Sequence, residues 1–162
     1  NTIINGYLHT GDIGEIDADG FLKITDRKKE MFKTSGGKYI APAVLESALK
    51  QSRFIEQIMI IGESEKMPAA LIQVNFEFAK DWATRKKLNP ASILTHERFI
   101  NRIQKEIDFH NQKFGKWEQI KRFELTPDEW SIEAGHLTPT MKMKRKIIKE
   151  KYNYLHQKIY NS

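Results

Sequence analysis

The chain has 162 residues, with 27 Lys and Arg against 21 Asp and Glu, a formal net charge of +6 and no cysteine. This length fits one domain, or one domain with part of another. The 40% hydrophobic content, with nine Phe, excludes a fully disordered chain. The absence of cysteine excludes disulfides and thiolate metal sites. Since no apolar run approaches the roughly 20 residues that span a bilayer, we expect a soluble protein, and the initial Asn suggests a piece of a longer polypeptide.

The N-terminal third of the sequence predicts a β-hairpin, a connector and a helix. The turn-forming residues Ala18-Asp19-Gly20 separate two short apolar runs, a pattern typical of a hairpin. The polar, basic stretch 25–33 has few residues suited to a core, so we interpret it as a connector. A glycine-rich turn at 34–38 then leads to Pro42, which is placed to open a helix that ends near Gln51.

The rest of the sequence carries apolar patterns of both strand and helix period. It predicts an antiparallel pair of strands, two helices, a third strand and one basic amphipathic helix, at residues 55–61, 69–74, 76–87, 96–114, 120–125 and 143–160. From about residue 30 onward, these elements predict an α+β fold in which a short antiparallel or mixed sheet is flanked by helices. The preceding β-hairpin is expected to belong to another unit.

Three short features are candidates for binding phosphate or ribose, and each also has an ordinary structural explanation. Ser35-Gly36-Gly37-Lys38 can direct backbone N–H groups and an ammonium towards an anion, or can be a plain turn before a helix. Asp12 can accept hydrogen bonds from a ribose diol, or can form a turn. The basic run 142–146 can be a functional cluster or a solvated helix start. Taken singly, none of them identifies a ligand.

The basic C-terminal helix allows two further functions. Its cations, together with Tyr152, Tyr154 and Tyr160, are typical of a nucleic-acid surface, because bases stack on aromatic rings. The same amphipathic pattern is also typical of a helix that lies on an anionic membrane. No recognised nucleic-acid motif accompanies the helix, so both functions stand as alternatives.

Four motifs occur together in one order along the chain. They are Tyr7-x-x-Thr10-Gly11-Asp12, Asp26-Arg27-Lys28-Lys29-Glu30, Ser35-Gly36-Gly37-Lys38-Tyr39-Ile40-x-Pro42-x-x-x-Glu46 and Leu137-Thr138-Pro139-Thr140-Met141-Lys142. In this order the sequence resembles the C-terminal part of the adenylate-forming (AMP-binding) enzymes. Within that superfamily it is most similar to the long-chain fatty acid-CoA ligases, or acyl-CoA synthetases, and the resemblance covers essentially the whole chain.

This resemblance implies an ATP-dependent reaction in two steps. A fatty acid reacts with ATP to give acyl-AMP and pyrophosphate, and CoA then displaces AMP to give the thioester. In this family a large N-terminal domain holds ATP and the acyl chain, while a small C-terminal lid domain rotates between the two half-reactions. Residues 1–25 would be the end of the large domain, 26–33 the hinge linker and 34–162 the lid domain, so the chain alone is expected to be inactive.

The resemblance also implies roles for single positions. The family pattern Thr-Pro-x-Gly-Lys, aligned on Thr138-Pro139, has Gly-Lys at the position of Met141-Lys142. The resemblance therefore implies that Lys142 is the lysine of adenylation, with Lys144 as the alternative. The remaining expected roles are nucleotide contacts from Asp12, Arg27 and Lys38, a hinge at Lys29, and a loop at the CoA site formed by Ser35, Gly36 and Gly37.

The ligands implied by the resemblance are ATP, Mg²⁺, CoA and a fatty acid, and none is expected to bind tightly to this chain alone. The expected partner is the large N-terminal domain of the same polypeptide, with no nucleic acid. The five histidines have no metal-like spacing, so no metal ligands are expected here. We expect a cytoplasmic location, with a peripheral contact at the membrane as a further expectation.

Overall fold

The computed structural model describes residues 3–4, 7–8, 10, 12–27 and 30–161, with the backbone alone at positions 3, 4, 8, 12, 13 and 23–27. Two antiparallel hairpins open the described part. They pair β1 (Ile3–Ile4) with β2 (Tyr7–Leu8), and β3 (Asp12–Ile16) with β4 (Leu22–Arg27).

The hairpin predicted around Ala18-Asp19-Gly20 is confirmed by the pairing of β3 with β4. An Asp17 side-chain oxygen accepts hydrogen bonds from the backbone N–H groups of Asp19 and Phe21, at 3.0 and 2.9 Å, which stabilises the turn. Strand β4 continues through Arg27, so regular structure extends into the stretch that the sequence indicated as a connector.

A short hairpin and a helix follow. Strand β5 (Phe32–Lys33) pairs with β6 (Tyr39–Ile40), and α1 (Pro42–Leu49) begins directly afterwards. Pro42 is the first residue of α1, as predicted, because its fixed φ and missing N–H suit the first helical turn.

The main sheet has three strands in the order β7 (Ile55–Ile61), β8 (Ala69–Val74) and β9 (Arg122–Leu125). The bounds of β7 and β8 and their antiparallel pairing are confirmed. Strand β9 pairs with β8 in parallel, which makes the sheet mixed. A parallel pair needs a long crossover, and this one contains α2 (Phe76–Arg85), a 3-10 helix (Pro90–Thr95) and α3 (Glu97–Asn111).

Both faces of the sheet are covered. Alternate strand residues such as Ile58 and Ile60 pack with α1, α2 and α3 in one apolar cluster, and Met59 and Ile61 pack on the opposite face in a second cluster. The second cluster contains Trp130, Leu137, Ile148, Tyr152, Leu155 and Ile159. The predicted α+β architecture, with a small mixed sheet flanked by helices, is therefore confirmed.

The single C-terminal helix predicted over 143–160 is wrong, because the structure has two helices. They are α4 (Arg145–Lys151) and α5 (Asn153–Asn161), with Tyr152 between them at φ −103° and ψ 26°. The break lies where the buried Tyr152 ring stacks with Trp130 and His136, a tertiary contact that apolar periodicity does not encode. None of the described helices is long and apolar enough to span a membrane.

The connection between β7 and β8 holds the loop that follows β5. The Ser64 N–H donates to the Lys33 carbonyl at 2.9 Å, and the Ser35 N–H donates to the Glu65 carbonyl at 2.9 Å. Gly62 begins this connection at φ +138°, and a Cβ there would lie 2.8 Å from the Met67 carbonyl oxygen. Only glycine fits this position without a shift of backbone.

We therefore expect Gly62→Ala to lower the free energy of unfolding by about 1–3 kcal/mol, through a strained φ and a backbone clash. Urea denaturation of the 162-residue chain measures this change. Gly36→Ala is the matched control, since Gly36 has an ordinary φ and a Cβ there would meet none of the described atoms within 4 Å. Equal stability of the two variants would contradict the prediction.

Candidate active site

Ser35, Gly36 and Gly37 lie together in an exposed loop between β5 and β6, which we call the glycine-rich loop (residues 34–38). The Thr34 N–H donates to the Lys38 carbonyl at 2.9 Å, and the Gly37 N–H donates to the Thr34 carbonyl at 2.9 Å. Gly37 has φ +80°, so its glycine allows this tight turn. Because the space beside Gly36 is open, a ligand can approach the backbone of the loop closely.

Lys38 leaves this loop towards an aromatic neighbour. Its Nζ lies 5.8 Å from the centre of the Trp117 ring, in a cation–π contact, and the Trp117 side chain is 53% exposed. Of the three tryptophans, Trp130 is buried and Trp82 packs against the core, whereas Trp117 lies at the surface. The neighbourhood of Lys38 is therefore basic and aromatic, which the sequence did not indicate.

Lys142 ends a second tight loop, which we call the lysine turn (residues 138–142). The Thr138 N–H donates to the Lys142 carbonyl at 2.8 Å, and the Lys142 N–H donates to Thr138 Oγ1 at 3.0 Å. Next to the turn, Leu137 and Met143 form an isolated antiparallel bridge. The backbone of Lys142 is thus fixed at both its donor and its acceptor, while its side chain is exposed.

Met141 has φ +60°, a left-handed conformation that is uncommon for a bulky side chain. This is the position at which the pattern Thr-Pro-x-Gly-Lys has glycine, so the backbone keeps the conformation that glycine favours. Lys144, the alternative lysine, directly precedes α4 and donates its N–H to the His136 carbonyl at 2.8 Å. Within the described part of the chain, neither the Lys142 nor the Lys144 ammonium makes a hydrogen bond or an ion pair.

Two of the predicted nucleotide contacts are neighbours in the second hairpin. The register of β3 and β4 places Asp12 opposite Arg27. Lys29, the predicted hinge, lies outside the described residues. The glycine-rich loop and the lysine turn are on separate segments, and one of the described contacts between these parts of the domain is the ion pair of Glu46 with Arg145.

Glu46 in α1 is a buried carboxylate that accepts three hydrogen bonds from two donors. One nitrogen of Arg145 donates to its two oxygens at 2.8 and 2.6 Å, and the Ile60 N–H donates at 2.8 Å. Burial raises the pKa of the Glu46 carboxyl, although Arg145 and the Ile60 N–H oppose this change. Glu46 ends the third sequence motif, yet sequence reasoning gave it no role, because its partner lies 99 residues away.

The buried His136 is bonded to the segment that follows the lysine turn, because its carbonyl accepts the Lys144 N–H. Its side chain is 1% exposed, its ring stacks with Tyr152 at 6.1 Å, and its Nδ1 accepts a long hydrogen bond of 3.4 Å from the Ser131 N–H. Burial lowers the pKa of the His136 imidazole, and nearby Lys151 lowers it further. Burial therefore favours the neutral form of the His136 imidazole.

The nucleic-acid alternative is not supported, because Tyr154 is the one of its three tyrosines with an exposed ring. Tyr152 is buried, and the Tyr160 hydroxyl donates to the Met67 carbonyl at 3.0 Å. Lys151 pairs with Asp128 at 3.1 Å and Lys158 with Glu124 at 2.9 Å. Among the side chains that the structure describes, no group of three or more His, Asp or Glu residues could hold a metal ion.

A protein-family model described as "AMP-binding enzyme C-terminal domain" matches residues 30–162. Among similar proteins, long-chain-fatty-acid–CoA ligase FadD15 of Mycobacterium tuberculosis is 38% identical over 97% of this chain, and long-chain-fatty-acid–CoA ligase 1 of Homo sapiens is 36% identical over 96%. These alignments cover 27% and 22% of the two relatives, so the chain spans about a quarter of their length.

The fold is similar to that of solved adenylation domains. The adenylation domain of a carboxylate reductase from Mycobacterium chelonae superposes on 98% of this chain with a TM-score of 0.78, at 23% identity and over 24% of that structure. The order of strands and helices described above is therefore that of a known domain.

The low pKa of His136 predicts loss of stability in mild acid. The unfolded chain takes up this proton near pH 6.5 and the folded chain does so only at lower pH, so stability falls as pH decreases through 6.5 towards the folded value. The limiting slope for one proton is about 1.4 kcal/mol per pH unit. His110 and His156, whose pKa values burial also lowers, act in the same direction.

The measurement is the unfolding free energy of the wild-type chain and of His136→Phe between pH 5.5 and 8. Because the raised pKa of Glu46 acts in the opposite direction, the difference between the two pH profiles isolates His136. We expect the variant to lose less stability on acidification than the wild type. Parallel profiles would contradict the prediction.

Proposed function

We propose that this chain, which belongs to the AMP-binding enzyme C-terminal domain family, is the lid domain of a long-chain fatty acid-CoA ligase. The observation that carries the proposal is the lysine turn: an exposed lysine follows a left-handed residue at the place where the family pattern has Gly-Lys. The similarity to long-chain-fatty-acid–CoA ligases over almost the whole chain supports the same assignment.

The proposed reaction has two steps. The fatty acid carboxylate attacks the α-phosphorus of ATP, which releases pyrophosphate and leaves acyl-AMP. The CoA thiol, on losing its proton, then attacks the acyl carbon, and AMP leaves as the thioester forms. Mg²⁺ would neutralise phosphate charge in the first step, and we assign its ligands to the large domain rather than to the described residues.

Lys142 is proposed to act in the first step. Its ammonium has no competing partner among the described residues, so it is available for the charge that develops on the carboxylate and α-phosphate. In a closed, dry site, one such cation lowers the barrier by about 3–4 kcal/mol. The bonded turn reduces the conformational freedom that Lys142 loses on reaching this position.

The glycine-rich loop is proposed to act in the second step. Its exposed backbone and the open space beside Gly36 allow the CoA arm to pass closely. Asp12 and Arg27 are proposed ligands of the adenylate ribose or phosphate, Lys38 of a phosphate, and Lys29 the residue about which the domain turns. The proposed boundaries are 1–25 for the end of the large domain, 26–33 for the linker and 34–162 for the lid.

The proposed surroundings follow from this assignment. The large N-terminal domain of the same polypeptide is the partner that supplies the ATP and acyl-chain sites. We place the enzyme in the cytoplasm, with a peripheral membrane contact through which it collects fatty acids. The exposed Ile147 beside basic residues of α4 supports such a contact.

The test of the proposed function is pyrophosphate release by the full-length protein that contains this chain, with ATP, Mg²⁺ and fatty acids of increasing length. We expect release by the full-length protein with long-chain acids and none by the 162-residue chain. The absence of release from the full-length protein at every chain length would contradict the proposal.

Replacing the lysine separates the two half-reactions. In the full-length protein, Lys142→Ala is expected to slow fatty-acid-dependent pyrophosphate release by about 10²–10³-fold, because one charge is lost from the transition state. Thioester formation from supplied acyl-AMP and CoA should change little. Lys144→Ala is the matched control with near wild-type adenylation, and the reverse ranking of the two variants would assign the role to Lys144.

A bulky side chain in the glycine-rich loop should have the opposite effect. Gly36→Leu is expected to reduce thioester formation from acyl-AMP by at least tenfold, by blocking the approach of CoA, and to leave pyrophosphate release unchanged. Since Gly36 faces open space in this domain, the variant should fold normally, which circular dichroism and urea denaturation check. Equal loss of both half-reactions would exclude this role.

A further inference from the structure

We propose that Glu46 is a positioning residue for Lys142, which it places through the ion pair with Arg145. This inference rests on the proposed function, because Lys142 has a reaction to serve only if the domain takes part in adenylation. Glu46 is not proposed to touch a substrate. Its effect passes along the backbone from Arg145 to the lysine turn.

The Glu46 carboxylate is fixed to the body of the domain. Its side chain is 8% exposed, and its Oε1 accepts the N–H of Ile60, a residue of the edge strand β7. Helix α1, which carries Glu46, packs through the buried Leu45 and Leu49 into the apolar cluster on one face of the sheet. Because both the helix and the strand hold this carboxylate, its position relative to the sheet is fixed.

Arg145 connects the fixed Glu46 carboxylate to the lysine turn. It is the first residue of α4 and lies three residues after Lys142. Its guanidinium is bound at 2.6 and 2.8 Å to Glu46, and the intervening Lys144 N–H donates to the His136 carbonyl. The segment from Lys142 to Arg145 is thus bound at one end to Thr138 and at the other to Glu46, so Lys142 cannot slide without breaking one of these contacts.

The ion pair of Glu46 with Arg145 is better suited to positioning Lys142 than to stabilising the fold. This ion pair adds little net stability, because taking the Glu46 carboxylate out of water offsets the attraction to Arg145, whose side chain stays 32% exposed. A short, charge-assisted hydrogen bond is nevertheless strict in distance and direction, whereas an apolar contact would tolerate sliding. The pair also joins the helix that follows the glycine-rich loop to the segment that carries Lys142, so it fixes the two proposed functional loops to one frame.

The experiment measures each half-reaction separately in the full-length protein. Glu46→Gln keeps the size of the side chain and an acceptor for the Ile60 N–H, but removes the charge that holds Arg145. We expect kcat for fatty-acid-dependent pyrophosphate release to fall on the order of 10- to 100-fold, with unchanged KM values for ATP and fatty acid. Thioester formation from supplied acyl-AMP should stay at the wild-type rate. Arg145→Lys, which keeps a cation, should show a smaller loss of the same kind.

Two further variants distinguish positioning from a structural role. Glu124→Gln removes the exposed pair with Lys158, 2.9 Å long, from the same domain, and should leave both half-reactions unchanged. The double variant Glu46→Gln/Lys142→Ala should be no slower in adenylation than Lys142→Ala alone, because Glu46 acts only through that lysine.

Equal loss of both half-reactions in Glu46→Gln, or independent effects in the double variant, would overturn the inference and leave Glu46 as a structural residue. Wild-type adenylation in both Glu46→Gln and Arg145→Lys would also overturn it. These results are distinct from failure of the proposed function, in which the wild-type protein itself releases no pyrophosphate with any fatty acid.

Discussion

The structure depends on burying both faces of one short strand. All six residues of β8 are buried, and its neighbours in the sheet are β7 and β9. Since successive side chains of a strand point to opposite faces, one cluster must cover each side. Helices α1, α2 and α3 cover one face, and the segment from Trp130 to α5 covers the other.

This constraint determines where the two functional loops lie. The glycine-rich loop is bonded to the connection between β7 and β8, while the lysine turn follows Leu137, which is part of the second cluster. The glycine-rich loop leads into Ile40 of the first cluster, so the two loops are supported by opposite layers. Exposed turns on a packed framework keep their backbone geometry while their side chains stay available to a ligand, and the Glu46–Arg145 pair connects the two layers.

Much of the fold could be predicted from local patterns. The bounds of β7 and β8 follow from their apolar content, and Pro42 marks the start of α1. The C-terminal helix could not be predicted correctly, because its periodicity continues through Tyr152 and only the stacking with Trp130 and His136 accompanies the break. Apolar periodicity indicates which residues of a helix face a core. A break in the helix depends on the side chains that pack against it there.

The candidate site shows the same division. The residues of the two loops were identified from contiguous motifs, since turns are encoded by neighbouring glycine, threonine and proline. The contacts of Lys38 with Trp117 and of Glu46 with Arg145 join distant parts of the sequence, so no local pattern predicts them. Met141 was noted as a departure from Gly-Lys, but its left-handed backbone became evident only in three dimensions.

The parallel pairing of β9 with β8 has a consequence for how the chain folds. Strand β8 is complete long before β9 is synthesised, because the crossover of α2, the 3-10 helix and α3 lies between them. Until residues 122–125 arrive, one edge of β8 has no strand to pair with, and the apolar face that awaits Trp130, Ile148 and Tyr152 is open to water. Contacts of this long range form slowly. The segment that presents Lys142 therefore also covers one face of the sheet, and a chain truncated before it would expose a surface prone to aggregation.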